Sequence, residues 1–230
     1  MRIGGLQKLT LLDYPGKVAC TVFLIGCNLR CPYCHNPGLV LPERMDGQEI
    51  PTDEILGFLE QRRGKLDGVC ITGGEPTLWQ ELPEFISDIR SLGYKVKLDT
   101  NGTNPDMLKK LLSDGLLDYV AMDIKNGPSR YAITCGGEDV IDSVRKSAAL
   151  LLNGMAEYEF RTTVCKPLHT EKEMGEIGRM LRGAKRYFIQ PFADSGDLVA
   201  GGVQAHTREE LVRLRQAVLP YIPNTELRGI

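Results

Sequence analysis

The sequence predicts an α/β fold, an incomplete (β/α)6 barrel of parallel strands that is open on one side, and three observations predict it. Short β-type runs alternate with helical patterns six times over. Repetition of this kind implies a parallel sheet, because each parallel return needs a crossover and a helix supplies it. Six units are too few to close the eight-fold barrel, and the chemically distinctive residues fall just after the strand-type runs, where barrels build their sites.

The elements follow in order. The first strand is the apolar run 18–25, and a helical pattern at 53–63 leads to a second strand at 68–72. A helix at 81–92 places Leu82, Phe85, Ile86 and Ile89 at helical spacing, before a third strand at 95–99. A helix at 105–114, a strand at 119–124, a helix at 140–152 and a strand at 158–164 continue the alternation. A helix at 171–181, a strand at 186–190 and a last helix at 208–219 end it. Gly136-Gly137 and Gly201-Gly202 read as loops. No low-complexity segment or linker interrupts the pattern, so one domain over 1–230 is expected.

Composition narrows the function. A chain of 230 residues, 42% hydrophobic and 25% charged, has the make-up of a globular protein with one full core. The 28 basic and 30 acidic side chains leave a net charge of -2, which argues against a sequence-blind nucleic-acid binder. No basic leader with a long apolar segment opens the sequence, and no apolar stretch near its start approaches the roughly 20 residues of a membrane span. The expectation is a cytoplasmic protein with neither nucleic acid nor membrane as partner. Seven cysteines, three of them clustered, suit a reducing compartment and metal binding better than a disulfide framework.

Those three are Cys27, Cys31 and Cys34, in Gly26-Cys27-Asn28-Leu29-Arg30-Cys31-Pro32-Tyr33-Cys34-His35-Asn36-Pro37 directly after the first strand. A 4Fe-4S cluster usually takes four cysteines, so three leave one iron open for chemistry. A zinc knuckle completed by His35 or His169 is the competing reading. Cys20, Cys70 and Cys165 sit in strand patterns and read as small buried apolar residues. Cys135, in a polar Gly-rich loop, is a candidate reactive thiol.

The C-x3-C-x2-C spacing, with an aromatic residue before the last cysteine, resembles the signature of the radical S-adenosylmethionine superfamily. The string CNLRCPYCHNP is most similar to the activating enzymes of glycyl radical proteins, and the stretch from Leu9 to Pro37 resembles the activating protein of anaerobic ribonucleoside-triphosphate reductase. Thr72-Gly73-Gly74-Glu75-Pro76 resembles the superfamily's GGEP motif. Asp99-Thr100-Asn101-Gly102 and Ala121-Met122-Asp123-Ile124-Lys125 resemble the third- and fourth-strand motifs of pyruvate formate-lyase activating enzyme.

The resemblance implies a 4Fe-4S cluster on Cys27, Cys31 and Cys34 and bound S-adenosyl-L-methionine (AdoMet). It places Tyr33 near the adenine, Gly73 and Gly74 along the methionine amino group with Glu75 as its charge partner, and Lys125 and Arg161 on the cofactor. It also implies a monovalent cation near Asp99 and Asp123. The bland reading of the same residues is helix capping by Asp99 or Asn101, a solvated Lys125 and a structural ion pair for Arg161. A cofactor-contacting histidine after the sixth strand has no counterpart here, where Gln190 stands instead.

The activity implied is reductive cleavage of AdoMet to methionine and a 5'-deoxyadenosyl radical, with flavodoxin or ferredoxin as electron donor. The minimal barrel takes about 190 residues and leaves the final helix and short tails, so a partner protein would supply the missing wall. The target expected is a glycine of a glycyl radical enzyme, foremost anaerobic ribonucleoside-triphosphate reductase. A small-molecule radical enzyme of the 7-carboxy-7-deazaguanine synthase type is one alternative, and a non-catalytic zinc-binding interaction module another.

Overall fold

The computed structural model describes residues 1–44 and 47–230. One sheet of eight strands runs in the order β1 (Ile3–Thr10), β2 (Ala19–Leu24), β3 (Gly68–Gly73), β4 (Lys95–Thr100), β5 (Tyr119–Asp123), β6 (Glu157–Val164), β7 (Tyr187–Pro191) and β8 (Thr225–Leu227). Strands β2 to β8 are parallel, whereas β1 pairs antiparallel with β2. Spatial order equals sequence order, and β1 and β8 are not paired with each other, so the barrel is open.

The helices are α1 (Pro37–Val40), α2 (Thr52–Gln61), α3 (Leu82–Ser91), α4 (Pro105–Ser113), α5 (Tyr131–Thr134), α6 (Ile141–Leu152), α7 (Glu171–Met180) and α8 (Arg208–Val218). Local chemistry fixes several starts. Asn104 accepts the Met107 N–H at 3.2 Å with Pro105 opening α4. Thr170 with Glu173, and Thr207 with Glu210, form reciprocal capping boxes at α7 and α8. The apolar stripe of α3 is buried at Leu82, Phe85, Ile86 and Ile89, as its spacing predicts.

All six expected strands and six helices are present, and the sheet adds two strands that periodicity does not reveal. β8 has only three residues, and β1 is an edge strand with two glycines and a largely exposed middle. Neither presents the apolar run or clean alternation that marks a strand. The 11–18 connection passes beneath the barrel, where buried Tyr14 packs 6.1 Å from Tyr119, ring to ring. Gly68 makes room for it: a Cβ there would lie 2.9 Å from the Tyr14 ring and 2.8 Å from the Lys95 carbonyl oxygen.

The chain after β7 is not a loose tail. It crosses the outside of the cysteine loop, with Val199 N–H donating to the Cys34 carbonyl at 3.3 Å and Ala200 N–H to Pro32 at 3.0 Å. Phe192 stacks flat on His35 at 5.5 Å and 15°. No helix among the described residues is long and apolar enough to cross a membrane.

Candidate active site

A cavity of about 550 Å³ opens at the C-terminal ends of the strands. That is inside the range of about 300–1,000 Å³ common for small-molecule sites. It is lined by Cys27, Cys31, Tyr33 and Cys34 from the loop after β2, Gly73 and Gly74 after β3, Asp99 on β4, Asp123 and Lys125 at the end of β5, and Arg161 on β6. Residues from five separate stretches of sequence therefore face one space.

The cysteine loop is held by its own backbone. Gly26, at φ +98°, turns the chain out of β2 and donates to the Leu39 carbonyl at 2.7 Å. Cys34 N–H closes a turn on the Cys31 carbonyl at 3.1 Å. The Cys27 sulfur is approached by the Leu29 N–H at 3.4 Å and by the Asn101 side-chain N–H at 3.9 Å. Burial pushes the Cys27 thiol up to about 11, while a hydrogen bond from Cys135 lowers Cys31. Cys135 is thus not an exposed reactive thiol: it is buried against Cys31, and its carbonyl accepts the Arg30 N–H at 2.9 Å. Cys20, Cys70 and Cys165 are buried as expected.

The paired glycines answer to the neighbouring backbone as well as to the cavity. A Cβ on Gly73, whose φ is +125°, would sit 2.2 Å from the Leu24 carbonyl oxygen, and one on Gly74 would sit 2.0 Å from that of Gly26. In their place the Gly74 N–H donates to Leu24 at 2.8 Å and the Glu75 N–H to Gly26 at 2.7 Å, fastening this turn to the cysteine loop.

Glu75 takes a different position from the one expected. It does not line the cavity; it is fully buried behind the turn, where its carboxylate accepts from Thr77 N at 3.0 Å, Thr100 Oγ1 at 2.7 Å and Asn101 N at 2.6 Å. Burial raises its pKa despite those donors. Its role is to lock the β3 and β4 exits together.

Charge runs along the far wall as a chain: Lys97 to Asp99, Asp99 to Arg161 at 3.2 Å, Arg161 to Asp123 at 2.9 Å, and Asp123 to Lys125 at 3.2 Å. Lys97 is buried outside the cavity, so the lining itself pairs Lys125 and Arg161 with Asp99 and Asp123. Burial alone would raise the Asp123 carboxyl, but Arg161 and Lys125 outweigh it and hold it well below the usual range. Neither Asp99 nor Asn101 caps α4, since Asn104 does, and Lys125 is largely buried rather than solvated. Asp99 and Asp123 do face one cavity, though each already has cationic side-chain partners.

Sequence reading gave no role to Asp13, which reaches the cavity from the 11–18 connection and accepts from Thr21 Oγ1 at 2.6 Å. Its signal was a carboxylate in an otherwise apolar stretch between two strands. Gln190 also lines the cavity. His169 commits both ring nitrogens to backbone groups and so does not stand ready as the fourth ligand of a zinc knuckle, while His35 lines the cavity and stacks on Phe192.

A loop of three cysteines over the mouth of an open, parallel barrel defines the class of radical AdoMet enzymes. The Radical SAM superfamily model matches residues 21–181, and the chain belongs to that superfamily. Its relatives include a Methanocaldococcus jannaschii protein, 32% identical over 237 residues that cover 99% of this chain and 96% of that protein, whose own assignment as a glycyl-radical enzyme activating enzyme is provisional. The pyruvate formate-lyase-activating enzyme of Clostridium pasteurianum is 35% identical over 133 residues, 54% of this chain and 52% of that enzyme. A 7-carboxy-7-deazaguanine synthase of Methanopyrus kandleri is 34% identical over 137 residues, 50% of this chain and 54% of that enzyme. The fold matches Streptococcus suis SuiB, crystallised with S-adenosylmethionine, at a TM-score of 0.70 and 17% identity over 90% of this chain and 49% of that one. The family carries a 4Fe-4S cluster and AdoMet; Cys27, Cys31 and Cys34 all line the cavity, which suits a multi-iron cluster, whereas among the described residues no three His, Cys, Asp or Glu side chains are set to hold a single metal ion.

Proposed function

We propose that the chain, acting as one radical SAM domain, is an activase that installs a glycyl radical on a partner enzyme, with anaerobic ribonucleoside-triphosphate reductase as the foremost candidate. The observation that carries this reading is the 32% identity to the M. jannaschii protein along 99% of the chain, where similarity to the deazaguanine synthase spans half. The open barrel agrees with it, as do Lys125 and Arg161 in the cavity lining.

Cys27, Cys31 and Cys34 would hold the cluster, and a flavodoxin or ferredoxin would reduce it. The cluster supplies the electron that cleaves AdoMet into methionine and a 5'-deoxyadenosyl radical. Gly73 and Gly74 leave backbone along the cavity that would meet the methionine end, Lys125 and Arg161 would face its carboxylate, and Tyr33 would pack beside the adenine. Asp99 and Asp123 orient Arg161 and Lys125; a monovalent cation between the carboxylates would have to share them with those side chains.

The test is electron paramagnetic resonance on anaerobically reconstituted, reduced protein with AdoMet, with and without a candidate reductase. A reduced-cluster signal lost as a glycine-centred radical appears on the partner is the expected result. AdoMet cleavage stimulated by a small molecule alone, with no partner radical, would favour the deazaguanine synthase type. A colourless protein holding zinc would remove the radical reading altogether.

A further inference from the structure

The carbonyl of Lys125 is gripped from behind the cavity wall by His169, a residue with no assigned role. His169 is buried, its Nε2 lies 2.8 Å from that carbonyl, and its Nδ1 lies 3.1 Å from the Cys165 N–H and 3.3 Å from the Cys165 carbonyl. A carbonyl can only accept, so Nε2 carries a proton; burial lowers the imidazole pKa and favours the neutral ring, whose Nδ1 accepts from the Cys165 N–H.

Four further contacts gather around the same point. The Tyr33 hydroxyl donates to the Lys125 carbonyl at 3.4 Å, and the Tyr33 ring meets the His169 ring edge-on at 6.1 Å and 72°. Asn126 Nδ2, one residue on, donates to the Leu168 carbonyl at 2.9 Å and to Thr134 Oγ1 at 2.8 Å. The β5 exit is thus stitched to the β6 exit beside the cysteine loop. The Lys125 side chain emerges from that stitched backbone into the cavity, 3.2 Å from Asp123.

We infer that His169 is a positioning residue for AdoMet, fixing the backbone from which Lys125 reaches the cofactor and the ring of Tyr33 beside it. This rests on the reading of the cavity as the AdoMet site. A scaffold role alone would need only a filled volume; two directed bonds, one to each strand exit, set where Lys125 sits.

Two amide variants separate the bonds. His169→Gln can carry an N–H to the place of Nε2 and keep the Lys125 bond; His169→Asn can offer an acceptor near Nδ1 but cannot reach Lys125. In iron-loaded protein kept oxidised so that AdoMet is bound but not cleaved, measured by equilibrium dialysis, His169→Asn is expected to weaken AdoMet binding about tenfold, the low end for lost outer-shell partners. His169→Gln is expected to stay within about threefold of the parent, since the buried carbonyl keeps a donor. Iron content is expected to be unchanged in both. Parental affinity in His169→Asn, equal weakening in the two variants, or loss of fold or iron in either assigns His169 to the scaffold and overturns the proposal. Failure of the parent protein itself to bind AdoMet would instead sink the reading of the cavity.

Discussion

Arg161 is the residue on which the cavity's charge depends, because it is the sole link in the chain that touches both Asp99 and Asp123. It is largely buried, so removing it strands two carboxylates rather than deleting one ion pair. Arg161→Ala is therefore expected to lower stability by about 3–5 kcal/mol, the range for breaking a buried pair from one side. Denaturant unfolding of the iron-free protein measures this without any cofactor. A loss under 1 kcal/mol would mean that Lys97 and Lys125 carry the two carboxylates by themselves. The cysteines make the complementary case: Cys27→Ala, Cys31→Ala or Cys34→Ala is each expected to abolish cluster assembly and AdoMet cleavage while leaving the fold. Iron analysis with a cleavage assay checks it, and retained cleavage in any one would remove that cysteine from the ligand set.

At the scale of elements, the contact between the β3 exit and the β2 exit decides whether the cysteine loop is presented at all. The space for a Cβ at Gly74 is occupied by backbone, which cannot swing aside as a side-chain tip can. Gly74→Ala is expected to displace the loop and cost the protein its iron together with several degrees of melting temperature. Full iron retention would show that the two exits can separate. A second element-level clamp holds the short β8: Arg228, just beyond it, grips buried Glu159 on β6 through two bonds of 2.9 and 3.0 Å. Burial would raise the Glu159 pKa, but Arg228, with Arg161 and Tyr119, outweighs it and lowers it. A carboxyl lowered in the folded state contributes stability above its unfolded value, roughly 4.3, and loses it as pH falls through the folded value. Glu159→Gln is expected to be less stable at pH 7 and to show a shallower loss from pH 5 to pH 3, read from urea midpoints. These elements also show what sequence could and could not disclose. Runs such as 18–25 and the stripe of α3 were legible because burial forces periodicity. β1 and β8, the strap after β7 and the inward turn of Glu75 were not, because each is set by what it packs against.

The molecule as a whole joins three thiols, a glycine turn and a charged wall only when the sheet is folded, so cofactor binding and global stability are linked. Asp13 and Tyr14 lie at the lower end of the barrel, the strap from β7 covers the cysteine loop outside, and β1 and β8, which do not pair with each other, leave the side open. A ligand that binds only this folded arrangement stabilises it by about 2.7 kcal/mol at 100 times its dissociation constant. For a chain of this length each kcal/mol is worth about 2–4 °C, so AdoMet is expected to raise the melting temperature of iron-loaded protein by about 5–10 °C. The same AdoMet is expected to shift iron-free protein, or Cys31→Ala, far less, because the cluster completes the wall that the methionine end meets. Differential scanning calorimetry under anaerobic conditions separates the cases. An equal shift with and without iron would mean that the charged wall of Lys125, Arg161, Asp99 and Asp123 binds AdoMet without the cysteine loop, and the cluster would then lie outside the binding site it is argued to complete.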